Sequence, residues 1–141
     1  AFAFEWYKRG AEVGNVDALF RLGCHYANGE EPVAKNMKKA LTYFKQAAHR
    51  GHIKANTYAG IGYMIGDGTD IHYPTALEYF REAADAGELD AKSYIAHMTE
   101  NGLGVKKNQT RAIELMQECA ALGHRKCKLR LQEIKRTAQR F

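Results

Sequence analysis

Several side chains of this 141-residue chain are of types that do chemistry. Cys24 and Ser93 are candidate nucleophiles, and His25 and His97 are candidate bases for them. A thiol or hydroxyl becomes reactive only when such a base lies within hydrogen-bond reach. The chain has no Ser-x-x-Lys motif, which would supply a lysine for that purpose. His49 and His52 have the spacing of a metal-ligand pair, but no cysteine or carboxylate set completes the three or four ligands a site needs. Gly60-Ile61-Gly62-Tyr63-Met64-Ile65-Gly66 has glycines spaced as in a dinucleotide loop. Such a loop must leave a strand and open a helix. Whether any of these groups can act depends on the elements that hold them.

Those elements recur. Gly14, Gly51, Gly87 and Gly123 are spaced by 37, 36 and 36 residues. Before them stand similar stretches: Trp6-Tyr7, Tyr43-Phe44 with Ala47-Ala48, Tyr79-Phe80 with Ala83-Ala84, and Leu115-Met116 with Cys119-Ala120. A small residue follows each glycine, at Ala18, Ala55, Ala91 and Cys127. A period of this length marks stacked helix pairs, each burying its apolar face against its neighbours. The expected fold is an all-α superhelix: a solenoid of antiparallel helix pairs, about three and a half repeats long. Eight helices are predicted near 3–13, 17–28, 36–49, 54–65, 73–85, 90–101, 108–121 and 125–139. Residues 1–15 read as the second helix of an incomplete repeat, 16–51, 52–87 and 88–123 as full repeats, and 124–141 as a basic C-terminal capping helix.

Boundary signals agree. Asn36 and Asn108 suit N-caps, Pro74 suits a first helical turn, and Gly51, Gly87 and Gly123 suit left-handed caps. A glycine inside a helix costs about 1 kcal/mol relative to alanine, so Gly23 and Gly60 indicate close helix crossings. The aromatic pairs Trp6-Tyr7, Tyr43-Phe44 and Tyr79-Phe80 are expected to fill the wider gaps. In this frame Gly60 and Gly62 lie inside a helix, which removes the dinucleotide reading. His49 and His52 straddle a helix C-terminus, where a histidine is favoured by the dipole. His124 stands at the position equivalent to His52. No nucleotide, metal or other cofactor is expected.

The net charge of +5 is uneven. Arg125, Lys126, Lys128, Arg130, Lys135, Arg136 and Arg140 face only Glu133, so residues 125–141 carry +6 and the preceding residues −1. This reads as a polar cap, or as a surface for anions or acidic partners. Nucleic acid is disfavoured, because Phe141 is the one aromatic near those charges and single strands call for stacking platforms. No run of 18 apolar residues exists to form a transmembrane helix. The chain begins mid-repeat without methionine, and an upstream segment is expected. Cys119 and Cys127 take the places of Ala47 with Ala55 and Ala83 with Ala91, which puts them within range of a disulfide. A bridge would suit an oxidising compartment and two packed thiols the cytosol. Cys24 is left single.

The string Ala18, Leu22, Gly23, Tyr26, Gly29, then Lys39, Ala40, Phe44, Ala47, Ala48, Gly51 resembles the Sel-one-like repeat family, relatives of the tetratricopeptide repeat. Ala55, Gly60, Tyr63, Gly66, Ala76, Phe80, Ala83, Ala84 and Gly87 form a second copy. The third departs at Ala96, Thr99 and Met116, and the first has an extra residue near Glu31-Pro32. The resemblance implies a non-catalytic adaptor or scaffold that binds a partner protein or peptide on its concave face. By analogy, that face is lined by Phe20, Cys24 and Asn28, by Thr57, Ile61, Met64 and Ile65, and by Ser93, His97 and Glu100. Phe20, Ile61, Met64 and Ile65 would make it more apolar than a solvated groove, as in a binding site or in inter-repeat packing. The resemblance also implies a bacterial protein of the periplasm or exterior rather than the cytoplasm, monomeric, and a regulator or neutralising partner of a secreted protein. Two alternatives follow: a hydrolase or β-lactam-binding protein of the family's cysteine-rich branch, with Cys119 and Cys127 as its mark, and recognition of cell-wall glycan or another polyanion by the basic helix.

Overall fold

The computed structural model describes residues 2–139. Eight α-helices and no strand occur among them: α1 (Phe2–Glu12), α2 (Val16–Asn28), α3 (Met37–His49), α4 (Ile53–Ile65), α5 (Tyr73–Asp85), α6 (Leu89–Asn101), α7 (Gln109–Ala121) and α8 (Arg125–Gln139). The chain forms two compact units that divide within α5, between Tyr79 and Phe80. Arg140 and Phe141 lie outside the described residues.

The helix starts have side-chain causes. Asn15, Asn36 and Asn108 accept the N–H groups of Ala18, Lys39 and Arg111 at 2.9, 3.1 and 3.0 Å. These bonds satisfy donors that a helix leaves unpaired at its first turn. Three further starts use a histidine in the same way. The Nδ1 atoms of His52, His72 and His124 accept from the N–H groups of Ala55, Thr75 and Cys127 at 3.1, 3.2 and 3.3 Å. An imidazole nitrogen accepts only when unprotonated, so these caps require the neutral ring. The expected glycines follow α3, α5 and α7 with positive φ, at Gly51, Gly87 and Gly123.

In the first unit α1 packs on α2, α2 on α3 and α3 on α4. Its core joins Leu19, Phe20, Leu41 and Phe44 with the fully buried Ala40, Ala47, Ala55 and Ala59. Gly23 has the steric role its sequence position suggested. A Cβ there would come within 2.5 Å of Phe44 Cε1, so the ring occupies the space a side chain would need. Tyr43 stacks on Tyr26 at 5.7 Å. Trp6 departs from the expected gap filling. It is 60% exposed, while Phe4 is buried and packs on Tyr26 at 6.1 Å, edge to face.

In the second unit α6 packs on α7 and α7 on α8. Its core holds Ala96, Ala112, Leu115, Met116, Cys119 and Cys127. Ala96 and Met116 occupy the frame positions of Gly23 and Phe44. Two of the third repeat's departures, Ala96 and Met116, are thus a matched pair: a flexible thioether chain replaces a rigid ring, and a methyl fits where glycine was required.

Candidate functional site

A groove of about 270 Å³ lies in the first unit between α2 and α4, with α3 as its floor. From α2 it takes Cys24, Ala27 and Asn28; from α4, Tyr58, Ile61, Gly62 and Ile65; from α3, Met37, Leu41 and Phe44. Asp67, in the turn after α4, closes one end. At the other end Phe20, Phe44, Tyr58 and His52 form an aromatic cluster. Phe20 stacks on His52 at 4.2 Å and on Tyr58 at 5.4 Å. The groove persists because Gly62 has no side chain: a Cβ there would press on Leu41 Cδ1 at 3.1 Å.

Of the residues expected on the concave face, Cys24, Asn28, Ile61 and Ile65 line this groove. It places the other members differently. Phe20 is a core residue, 8% exposed, and contributes from beneath the cluster. Thr57 is buried, and its Oγ1 and the neighbouring Asn56 Oδ1 have no hydrogen-bond partner. Met64 is half-buried and lines none of the groove. Tyr58 holds the place assigned to Thr57. A helix advances about 100° per residue, so Tyr58, Ile61, Gly62 and Ile65 share one face while Thr57 and Met64 sit on its flank. Sequence reasoning also missed Asp67 and the α3 floor. Asp67 follows the helix-ending Gly66, a position that marks it only as a turn residue.

Ser93, His97 and Glu100 belong to the second unit. His97 is exposed, and its backbone carbonyl accepts from Asn101 Nδ2 at 2.8 Å. Glu100 is not an open binding residue. It is buried and ion-paired to Arg130, whose Nε donates to Glu100 Oε2 at 3.3 Å and whose Nη1 donates to Glu133 at 2.9 Å. The two carboxylates hold the Arg130 guanidinium well above its ordinary pKa.

The candidate nucleophiles have no base on them. His25 is buried, in ring contact with Phe4 at 5.3 Å, and its Nε2 meets the Glu31 carbonyl at 2.8 Å. Neither Cys24 nor Ser93 hydrogen-bonds a histidine among the described residues. Burial raises the Cys24 thiol pKa and so favours the neutral, unreactive form, while Arg21 pulls the other way with less effect. Cys119 and Cys127 are buried free thiols in one core, and Cys119 Sγ donates to the Leu89 carbonyl at 3.6 Å. Burial, then the neighbouring Cys127, pushes Cys119 up to about 12. His52 and His124 cap helices while His49 is exposed, and no cluster of three metal-ligating side chains occurs among the described residues. No helix of the described residues is long and apolar enough to cross a membrane.

The family model described as the Sel1 repeat matches residues 1–15, 16–52, 53–88 and 89–124. Among solved structures, the chain is similar to a Sel1 repeat protein from Oxalobacter formigenes, with 34% identity and a TM-score of 0.86. That match covers 92% of this chain and 53% of the other, so the chain spans about half the length of that relative. It is also similar to cysteine-rich protein B of Helicobacter pylori, with 16% identity and a TM-score of 0.63 over 88% of this chain and 93% of the other. At that identity the likeness is one of fold. Helices, period and likeness agree on an all-α helical-repeat solenoid.

Proposed function

Because the chain belongs to the Sel1 repeat family, we propose that it is a non-catalytic adaptor that binds a partner protein through the groove between α2 and α4. Sel1-repeat proteins are in general protein–protein interaction scaffolds. The observation that carries the reading is the groove itself. Its walls are mostly apolar, they come from two successive repeats, and Ile65 stands 55% exposed at its edge. An apolar concavity with a polar rim is the form of a docking surface. The partner is proposed to be a secreted bacterial protein that this chain regulates or neutralises, outside the cytoplasm.

The test is capture of partners from the source cell with the parent chain and with Ile65→Lys, followed by affinity measurement on each partner found. A charge set in an apolar contact is stripped of water there, so Ile65→Lys should weaken binding by well over tenfold. Because Ile65 is exposed, the variant should melt with the parent. A second reading has one observation in its favour: Arg125, Lys126, Lys128, Lys135 and Arg136 are all exposed on α8. If charge reversal on α8 or raised salt abolishes binding while Ile65→Lys does not, the basic helix carries the interaction and the groove reading fails.

A further inference from the structure

The two ends of the groove differ in charge. At the aromatic end stand Arg21 and Lys54, both exposed, with Arg21 at 3.7 Å from Asp17. At the other end α2 stops at Asn28 and α4 at Ile65, and both residues line the groove. Each helix C-terminus presents the negative pole of its dipole, equivalent to roughly half an electron charge. Asp67 adds a carboxylate that is half-buried and has no ion-pair partner among the described residues. Asn28 Nδ2 donates to Glu30 at 3.3 Å, which places a second carboxylate beside that wall. The lysines that the fold brings to this end, Lys35 beside Gly29 and Lys38 beside Gly68, are exposed and line none of the groove. α3 opens at Met37 on this same end and its positive pole offsets one of the two negative ones, so the half-buried, unpaired Asp67 is the charge that distinguishes the place where the apolar walls open.

We infer that the groove takes a segment of a partner protein that inserts one bulky apolar side chain among Leu41, Phe44 and Ile61 and lays a Lys or Arg against Asp67 and the C-terminal ends of α2 and α4. This rests on the reading of the groove as the docking surface and adds the chemistry of its occupant. A volume of about 270 Å³ holds one large side chain and leaves its backbone outside. The segment's cation sits at the Asp67 end, since Lys54 repels it at the other, where Arg21 is paired with Asp17. An acidic residue in its place would meet Asp67 and both helix ends with like charge.

Three capped dipeptides serve as probes: acetylated and amidated Phe-Lys, Phe-Gln and Phe-Glu, titrated into the full chain with backbone amide shifts as the readout. All three should move the amides of Cys24, Asn28, Ile61 and Ile65. Phe-Lys should bind at least threefold tighter than Phe-Gln, and Phe-Glu more weakly than either. Asp67→Asn should bring Phe-Lys down to the level of Phe-Gln and leave Phe-Gln unchanged, while Asp70→Asn, at an exposed position outside the groove, should change neither. Equal binding of the three probes, or equal effects of the two Asn variants, would overturn the cation assignment and leave the groove intact. If no probe moves those four amides, the groove is not a docking surface and the proposed function falls with it.

Discussion

Tyr58 on α4 and Arg130 on α8 stand 72 residues apart, at the same position of the repeat. In the first unit that position is an aromatic wall. Tyr58 packs edge-on against Phe44 at 5.3 Å, and the space beside it stays open and apolar. In the second unit Arg130 lies between Glu100 and Glu133 and joins α6 to α8 through charge. Glu133 itself stands where Ile61 stands. The backbone frame is the same in both, held by caps and small buried residues. A few protruding side chains decide whether a given stack of helices presents a groove or an ionic strap.

The largest expected effect tests the frame. Gly23→Leu should unfold the α2–α3 stack, because its Cβ alone would meet the Phe44 ring at 2.5 Å. Overpacking of this kind costs about 1–3 kcal/mol even when neighbours yield. Gly23→Ala should fall in that range, and Phe44→Met added to it should return part of the loss, because Ala96 with Met116 already forms that pair in the second unit. Denaturant midpoints of the parent, both singles and the double decide it. Additive losses, with no coupling between the two sites, would end the matched-pair account.

The next effect tests the strap. Arg130→Met leaves the buried Glu100 without its cation, and a stranded polar group costs about 1–3 kcal/mol. Arg130 is 45% exposed, and water reaching the pair puts the loss at the lower end of that range. Glu100→Gln in the Arg130→Met background should recover stability, since it removes the unpaired charge. A parent-like melt for Arg130→Met would show that the strap contributes nothing.

A third prediction concerns acid. His52 caps α4 with a neutral ring stacked on Phe20, and burial lowers its pKa below the ordinary value of 6.5. Asp17 opposes that shift, and Arg21 and Lys54 assist it. A histidine with a lowered folded-state pKa contributes stability in full above its unfolded pKa. That contribution is lost as pH falls through the lower, folded value. The cap is worth about 1 kcal/mol. His52→Asn should keep the cap, as Asn15 and Asn36 do, and flatten the part of the stability profile below about pH 6.5 that His52 supplies. An unchanged profile would assign the acid response elsewhere. His124 differs in that its Nε2 reaches Asp90 at 2.7 Å while its Nδ1 caps α8.

The helices were legible because period, cap and glycine signals coincide: every predicted span meets its observed helix within about a residue at each end. The histidine caps were not, since imidazole is not among the usual N-cap side chains and its position alone also suits a metal ligand. The groove was half legible. The register taken by analogy with the tetratricopeptide repeat named Cys24 and Asn28, and both line the groove. α4 carries Ile53, Tyr58, Ile61, Met64 and Ile65 around its circumference, and a helix without a polar stripe gives no direction from sequence. The analogy named Thr57 and Met64, and nothing in α4 itself pointed to Tyr58 instead. Glu100 was misplaced because its partner Arg130 stands 30 residues on, in a helix whose other charges are exposed.

The smallest expected effect separates the units by their thiols and leaves both folds standing. Cys24 lies half-buried on the open groove, whereas Cys119 and Cys127 are buried together. Alkylation requires the thiolate and access to it. Iodoacetamide added to the native chain should modify Cys24 first, and Cys119 and Cys127 only after denaturation, as read by peptide mass. Cys24→Ser should shift stability by no more than about 1 kcal/mol, since the side chain is half exposed and loses little packing. With oxidised glutathione in place of the alkylating agent, we propose that Cys119 and Cys127 join. Each gives up its proton, the two sulfurs form one bond, and the glutathione disulfide takes the two electrons and leaves as two thiols. Access through local opening limits the rate, because a thiol held near 12 supplies little thiolate while folded. A bridge containing Cys24 would contradict the frame, since Cys24 lies on the groove of the first unit and the thiol pair in the core of the second. Prompt alkylation of Cys119 in the folded chain would show that the second unit opens more readily than its buried core implies.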